Sequence, residues 1–354
     1  MLNSFKEMIG NINTLDQEAM NNAQKHWNSI AKPLNSLGLL EEVIIKIAGI
    51  TRDAKINLDK RAVVVMCADN GVVAEGVTQT GQEVTAIVTK NLVKGNTSVN
   101  NMARCANVDV IPVDIGVASD INLEGLINNK LMYGTKNMTK EPAMTRKVAL
   151  KAIEYGINIV KDLKEKGYKI IATGEMGIGN TTTSSAIAAV LLDKEVEYVT
   201  GRGAGLSSDG LNKKIAAIKK AIETNRPDKD DPIDVLMKVG GLDIAGLTGV
   251  FIGGGIYNIP IVIDGFISAV AALLAVKINS KVKEYIIPSH LSKEPAALAI
   301  MDYLKLTPFI NCNMCLGEGT GAVAIMPLLD MALAVYNNMS TFKEIEVDQY
   351  KPLN

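Results

Sequence analysis

The 354-residue sequence has few of the residues that build disulfide frameworks and metal centres. Its 4 cysteines and 2 histidines exclude a disulfide scaffold at this length and fit a reducing compartment. A charge bias is also missing, because Lys+Arg 37 against Asp+Glu 38 leave a formal net charge of -1. With no basic block either, the sequence lacks the charge pattern of a nucleic-acid-binding protein.

Long apolar runs are absent as well. The longest apolar window, 267–276, lies between Asp264 and Lys277 and is too short to cross a bilayer. The N-terminal segment has no basic stretch followed by an apolar run, so we predict no secretory signal. We therefore expect a soluble, cytoplasmic protein that has no membrane partner.

Cys312 and Cys315 form a C-x-x-C pair, a spacing that occurs in zinc and redox sites. No second pair supplies the other ligands of a zinc site. A thioredoxin-like motif would lie near the start of a helix after an early strand. The sequence therefore favours two buried thiols, and we predict neither a metal nor a cofactor.

The sequence is rich in hydrophobic residues (47%), many of them in short β-branched runs between amphipathic stretches. These runs are 61–67, 108–116, 168–174, 249–255, 259–265 and 284–288. Continuous apolar runs are typical of strands that are buried on both faces. The alternation predicts an α/β fold with a doubly wound, mostly parallel sheet, in which ligands bind beyond the carboxyl ends of the strands.

Helical patterns stand at both ends of the chain. Thr14 and Gln17 have the spacing of a capping box that opens a helix to about Ile30, and 39–50 predicts a second helix. From about 294 the pattern is again helical, except for the loop at 311–321. We expect three parts, namely an N-terminal helical arm (1–58), an α/β domain (59–310), and a functional loop with C-terminal helices (311–354).

The strongest local signal is a glycine-rich turn between a predicted strand and a helix, within 172–192. The spacing Gly174-x4-Gly179-Asn180-Thr181 resembles a phosphate-binding P-loop, but Asn180 stands where the lysine would be. Backbone N–H groups can still face an anion at the helix N-terminus, so a single phosphate is favoured over a triphosphate. The alternative is a tight turn with a Thr/Ser-rich cap.

Three further groups of charged residues are candidates. Lys213 and Lys214 follow a glycine cluster near the start of a predicted helix, where the dipole opposes a cation by roughly 0.3–1 kcal/mol. Their position indicates a nearby anion, or else a solvated lysine face. Asp69 and Asp243 border turns and contribute either to a site or to Asx turns. We expect His290, which ends a strand, to be structural.

Two glutamates have parallel settings, Glu175 in "GEMG" and Glu318 in "GEGTG". Desolvation in a glycine loop raises the pKa of a carboxylate, which can then accept a proton from a weakly acidic N–H. The pair predicts proton transfer in a metal-free site. The alternative is that each glutamate lies in an ordinary surface loop.

Six blocks of the sequence resemble a known family. They are MCADNGVVAEGVTQTGQEVTAIV (66–88), GEMGIGNTTTSSAI (174–187), KVGGLDIAGLTGV (238–250), IDGFISA (263–269), YIIPSHLS (285–292) and LGEGTGAVAIMP (316–327). In this order they are similar to the nicotinate-nucleotide–dimethylbenzimidazole phosphoribosyltransferases, which activate the lower-ligand base of cobamides. The resemblance extends from about residue 14 to about residue 338.

The resemblance implies transfer of 5-phosphoribosyl from nicotinate mononucleotide to a ring nitrogen of an aromatic base. It implies that Glu318 removes the azole proton and that Glu175 is the second active-site carboxylate. The residues predicted to bind phosphate and ribose, from the resemblance and the glycine-rich turn together, are Gly177, Gly179, Asn180, Gly203, Lys214 and Gly265. Those predicted for the base and nicotinate, with Asp243 added from its turn, are Thr80, Val88, Asp243, Ser292 and Leu316.

The resemblance further implies a Rossmann-like domain, a small helical domain from both termini, and a dimer of identical or related chains. Val88 departs from relatives that have glutamine there, which leaves open whether the acceptor is 5,6-dimethylbenzimidazole, another benzimidazole, a purine or a phenol. The alternative function is a nucleotide-binding subunit that acts through a related partner chain. The two intact glutamates favour the enzyme, and Asn180 argues against a P-loop kinase.

Overall fold

The computed structural model describes residues 2–350. Its strands are β1 (Arg61–Ala68), β2 (Asp109–Gly116), β3 (Ile127–Asn128), β4 (Ile170–Met176), β5 (Ile261–Val262) and β6 (Ile286–Ile287). Its helices are α1 (Leu2–Gly10), α2 (Gln17–Ser29), α3 (Leu39–Thr51), α4 (Glu83–Lys94), α5 (Ser98–Cys105), α6 (Arg146–Glu165), α7 (Asn180–Leu192), α8 (Val196–Val199), α9 (Ser208–Asn225), α10 (Pro232–Val239), α11 (Leu242–Tyr257), α12 (Phe266–Ile278), α13 (Ala296–Leu304), α14 (Thr320–Ala324) and α15 (Met326–Asn338). Short 3-10 turns span Gly71–Glu75 and Ser280–Tyr285.

The strands form one sheet in the order β3-β2-β1-β4-β5-β6, and every pair is parallel. In its centre, Val64 of β1 pairs with Ile111 of β2 and with Thr173 of β4. All eight residues of β1 are buried, as the uninterrupted apolar run predicts. The structure confirms the α/β doubly wound sheet, and its strand order reverses between β1 and β4, where ligands bind in such folds.

The strand predicted at 249–255 is wrong, because these residues lie within α11. The glycines of this run pack a helix against a helix instead of forming turns. A Cβ at Gly249 would collide with the carbonyl oxygen of Ile153 in α6, and one at Gly253 would lie 2.8 Å from Val160. Every residue from Leu242 to Gly255 is buried, so the helix has no exposed polar face and its sequence lacks the periodicity of a surface helix.

One smaller prediction is also wrong, and two short elements were not predicted. The cap of α2 is Asp16, whose Oδ1 accepts the N–H of Ala19 at 2.9 Å, and the Thr14–Gln17 capping box does not form. The edge strand β3 and the helix α1 were not predicted, because two residues and a short polar helix leave little periodic signal. The helix predicted at 39–50 is confirmed as α3.

The two ends of the described chain pack together. α15 packs against α3, the Trp27 and Tyr336 rings lie 5.0 Å apart, and Ile30 bridges Thr341 in antiparallel pairing. The domain boundaries at 58/59 and 310/311 stay predictions. The run 320–338 is long and apolar enough to cross a membrane, but 56% of it is buried in the protein, as in the core helix of a soluble protein.

Candidate active site

A cavity of about 180 Å³ opens at the carboxyl end of the sheet. Eight of the predicted site residues line it, and they are Glu175, Gly177, Asn180, Gly203, Gly265, Ser292, Leu316 and Glu318. β4, β5 and β6 end beside this cavity, so residues far apart in sequence meet there. This is the edge at which ligands bind in open parallel sheets.

Glu318 lies on a loop with a left-handed backbone. Gly317, Glu318 and Gly319 have φ angles of 91°, 60° and 97°, and the middle value is unusual for a residue with a side chain. The loop lies on the end of β4, because Gly174 has no Cβ to collide with the carbonyl oxygen of Glu318. Outlying backbone of this kind is concentrated at functional sites.

The Glu318 carboxylate points at the N-terminus of α5. Its Oε2 accepts the N–H of Val99 at 3.3 Å, next to the capping residue Thr97. Partial burial raises the pKa of Glu318, and this N–H donor opposes the rise. The side chain is thus a carboxylate of increased basicity that still borders the cavity.

Glu175 is near the end of β4 and is 7% exposed. Its Oε2 accepts a hydrogen bond from Nδ2 of Asn180, which also donates to Oδ2 of Asp243 at 2.9 Å. Burial, and then the charge of Asp243, raise the pKa of Glu175 to about 8. Burial raises the pKa of Asp243 to about 6. Near neutral pH, Glu175 therefore holds a proton and Asp243 carries the charge.

Gly317, which precedes Glu318, allows the two glutamates to lie close together. A Cβ at Gly317 would lie 2.6 Å from Oε1 of Glu175, so this carboxyl group lies directly under the Glu318 loop. Asn180, predicted to contact phosphate, directs its amide to the two buried acids.

Lys214, on α9, lies behind the part of the cavity wall that Thr181 and Gly203 form. The side chain is 1% exposed, and Nζ donates to Oγ1 of Thr181 at 2.9 Å and to the carbonyl oxygen of Gly201 at 3.1 Å. An ammonium group has three donors, so one is left for a ligand. Burial lowers the pKa of Lys214 to about 8, and an anion beside it would raise that pKa again.

The comparisons with known proteins agree with this site. The phosphoribosyltransferase family model DBI_PRT matches residues 12–347. The nicotinate-nucleotide–dimethylbenzimidazole phosphoribosyltransferase of Acetivibrio thermocellus is 51% identical, over 98% of this chain and 99% of that protein. The enzyme of the same name from Clostridium acetobutylicum is 52% identical over 99% of both chains. The chain belongs to this family.

A solved structure of the family has the same fold. The crystal structure of CobT from Thermus thermophilus has a TM-score of 0.89 and 36% identity, and the match covers 94% of this chain and 100% of that one. Both the family and the fold implied by the six sequence blocks are thereby confirmed.

Five predicted site residues do not line the main cavity, and two of them, Lys214 and Asp243, are the buried groups described above. Thr80 and Gly179 line an adjoining cavity of about 190 Å³, which shares a wall with the first at Gly177 and Gly203. Val88 is half-buried and packs against the core. Asp69 is buried, and its Oδ2 accepts the N–H of Ala118 at 2.7 Å, so it serves a turn.

Among the residues that line the cavity and were not predicted as site residues, three have carboxyl or imidazole side chains. Asp264 and His290 lie at its inner wall, and both are buried. Glu294 lies opposite Lys214; burial raises its pKa, and Lys214 and the N–H of Gly203 oppose that rise. The signal for Asp264 is its place after an apolar run and at the edge of a glycine-rich turn, which an Asp in an Asx turn shares. "SKEP" around Glu294 gives none, because a charged segment before a helix is typical of a surface.

The prediction that Cys312 and Cys315 are buried thiols is wrong. Both are exposed and free, on a segment without helix or strand that is flanked by asparagines. Cys315 borders the cavity beside Leu316, which is 57% exposed. Among residues 2–350, no group of three or more His, Cys, Asp or Glu side chains is placed to hold a metal ion.

Proposed function

We propose that this chain transfers 5-phosphoribosyl from nicotinate mononucleotide to 5,6-dimethylbenzimidazole, releasing nicotinate and giving the α-ribotide. The observation that carries the proposal is one cavity that two carboxyl groups line, Glu318 and Glu175, with a buried lysine bound to Thr181 of its wall. The relatives named for this reaction support both substrates.

The phosphate is held on the α9 side of the cavity. Gly203, Gly265 and Ser292 line this part of the cavity, and the ammonium group of Lys214 lies directly behind Gly203 and Thr181. Charge-assisted hydrogen bonds of this kind contribute about 1.5–3 kcal/mol each. They fix the ribose so that its C1 lies between the two glutamates.

The leaving group needs little help. Nicotinate in the mononucleotide is a pyridinium, so breaking the bond from its nitrogen to C1 neutralises that nitrogen without a proton donor. Positive character then builds up on the ribose, and the charge that Asp243 places beside Glu175 stabilises it. The proton on Glu175 makes this residue a hydrogen-bond donor in the same space.

Glu318 acts on the incoming base. As the azole nitrogen attacks C1 from the face opposite the pyridinium, Glu318 accepts the proton from the other ring nitrogen. Attack from that face inverts the anomeric centre and gives the α-linked product. Leu316 presents an exposed apolar surface beside this carboxylate, which suits a planar aromatic base.

The identity of the acceptor base is the more specific part of the proposal. The printed names of the relatives support 5,6-dimethylbenzimidazole, while Val88 packs against the core and offers no polar group to a base. We expect dimethylbenzimidazole to react faster than unsubstituted benzimidazole or adenine, because its two methyl groups bury additional apolar surface at about 25 cal/mol per Å². A phenol is expected to react slowest, since it lacks the azole N–H.

The experiment is a nicotinate-release assay on the purified chain alone. The parent, with nicotinate mononucleotide and each acceptor in turn, should release one nicotinate for each α-ribotide formed. If no acceptor gives nicotinate, the proposed activity is wrong. If activity appears only after a related chain is added, the chain is instead a subunit that acts through a partner.

Two further features belong to the proposal. The family resemblance supports a homodimer in the cytoplasm, and exposed apolar side chains such as Leu298 and Tyr303 on α13 offer a surface for a second copy. Light scattering coupled to gel filtration should give about twice the chain mass of 37.9 kDa. A mass equal to one chain would contradict the dimer.

A further inference from the structure

The Asp264 carboxylate accepts three backbone N–H groups from the loop that carries Glu318. Oδ2 accepts the N–H of Gly319 at 3.0 Å, and Oδ1 accepts those of Gly321 at 2.7 Å and Ala322 at 3.1 Å. Asp264 itself is 2% exposed and follows β5. Its own N–H donates to Oγ of Ser268 at 3.1 Å, so its position is fixed from α12.

These bonds act where the loop is least stable by itself. A left-handed residue with a Cβ costs roughly 1–2 kcal/mol, and Glu318 is such a residue between two left-handed glycines. Gly319, the next residue, is bound directly to Asp264. Without that anchor, the strained backbone would relax and the direction of the Glu318 side chain would change.

The neighbours of Asp264 are also titratable. His290, which follows β6, packs its ring against Gly321, and its Nδ1 lies 3.3 Å from Oγ of Ser289. Glu175 on β4 and Glu318 on the loop both lie within the field of Asp264, whose negative charge adds to the rise of their pKa values. Burial raises the pKa of Asp264, and His290 and the three N–H donors oppose that rise.

We propose that Asp264 is a positioning residue for the transfer reaction, because its carboxylate fixes the backbone that directs Glu318 at the attacking nitrogen. Its charge has a second consequence, since a negative group beside Glu318 makes that base stronger. This inference rests on the proposed phosphoribosyl transfer. In this inference Asp264 fixes the geometry of the site and does not contact the reacting atoms.

Two variants separate position from charge. Asp264→Asn keeps the size but loses the charge, and its amide N–H group would oppose one of the loop N–H groups. We expect kcat to fall about 10²-fold, as for a displaced catalytic group, while KM for nicotinate mononucleotide changes less than about 3-fold. The acidic limb of the kcat/KM profile should move to lower pH. Asp264→Glu keeps the charge, so kcat should fall while that limb stays in place.

Asp231→Asn is the matched control. Asp231 also caps a helix, and its Oδ1 accepts the N–H groups of Ile233 at 3.0 Å and Asp234 at 3.1 Å, but it does not border the two cavities described above. It should lower the melting temperature and leave kcat and the pH profile unchanged. Amide hydrogen exchange of the parent tests the anchor without any variant, and the amides of Gly319, Gly321 and Ala322 should exchange slowly.

The results distinguish this inference from the proposed function. A parent that releases no nicotinate contradicts the function itself. With an active parent, an Asp264→Asn variant with parental kcat, or with a lower kcat and an unmoved acidic limb, overturns the positioning role. If Asp264→Asn does not fold, amide hydrogen exchange of the parent tests the inference. Slow exchange of the Gly319, Gly321 and Ala322 amides supports the anchoring by Asp264, and rapid exchange overturns it.

Discussion

Glu175 and Glu318 have almost the same sequence setting, a glutamate between glycines, but different structures around them. Glu175 belongs to the regular backbone of a central strand and is 7% exposed next to a second buried acid. Glu318 belongs to a left-handed loop, borders the cavity and has backbone N–H groups as neighbours. Similar motifs therefore give two carboxyl groups in different environments, and the more buried one, Glu175, has its pKa raised to about 8.

The comparison shows how one site obtains a donor and a base from one residue type. A second acid beside a buried carboxyl group raises its pKa further, whereas N–H groups at a helix N-terminus lower it. The protein needs no histidine for this purpose, because the environment sets the two pKa values apart. The predictions below test whether the two glutamates differ in this way.

The largest expected effect is on the rate. Glu318→Gln removes the base and should lower kcat/KM by about 10²–10⁴-fold, the usual contribution of general base catalysis. Nicotinate release under saturating mononucleotide measures it. Glu165→Gln, an exposed glutamate at the end of α6, is the control and should keep the parental rate. A Glu318→Gln variant that is as fast as the parent would contradict the role of Glu318.

The next largest effect is on protein stability, when Glu175 is replaced. Its folded pKa of about 8 lies above its ordinary value of 4.5, so its favourable contribution is fully present below about pH 4.5 and is lost as the pH rises through 8. Glu175→Gln cannot ionise. At pH 9 its free energy of unfolding should therefore exceed that of the parent by a few kcal/mol, the size that the difference between the two pKa values of Glu175 implies. At pH 5 the two proteins should be similarly stable.

Urea unfolding at pH 5 and pH 9 measures this difference, and Glu318→Gln serves as the comparison. Because Glu318 is less buried and has N–H partners, its glutamine variant should gain much less at pH 9. An equal gain for both variants would show that the two environments do not differ as described.

The smallest effect separates the two backbones. At position 318, with φ of 60°, glycine should give a more stable protein than alanine by about 1 kcal/mol. At position 175, in the strand β4, the order should reverse, with alanine more stable than glycine by about 0.5–1 kcal/mol. Urea unfolding of the four variants tests this, and the same order at both positions would contradict the difference in backbone.

Much of the fold follows from local sequence, because β1, β2 and β4 are apolar runs that must be covered on both faces. The mistaken strand at 249–255 shows where this reasoning stops. A helix buried on all sides has the same composition as a buried strand, and only its packing against α6 distinguishes the two.

For the site, the two glutamates and Lys214 could be predicted from glycine context and helix position. Asp264 could not, because its importance comes from three N–H groups more than fifty residues away in sequence. The bridge from Asn180 to Asp243 spans a similar distance and also has no local signal. Contacts across the carboxyl edge of a sheet are set by topology, which a local pattern does not encode.

The most direct test of the central claim is the pH dependence of kcat for nicotinate release by the parent and by Glu175→Gln, because kcat reports the substrate complex, in which the bound phosphate raises the pKa of Lys214 above its value of about 8. The parent should show an acidic limb from Glu318 and a basic limb near pH 8, where Glu175 loses its proton. In Glu175→Gln the basic limb should be absent and the acidic limb should remain. A basic limb near pH 8 that persists in Glu175→Gln would contradict the assignment of opposite protonation states to the two glutamates.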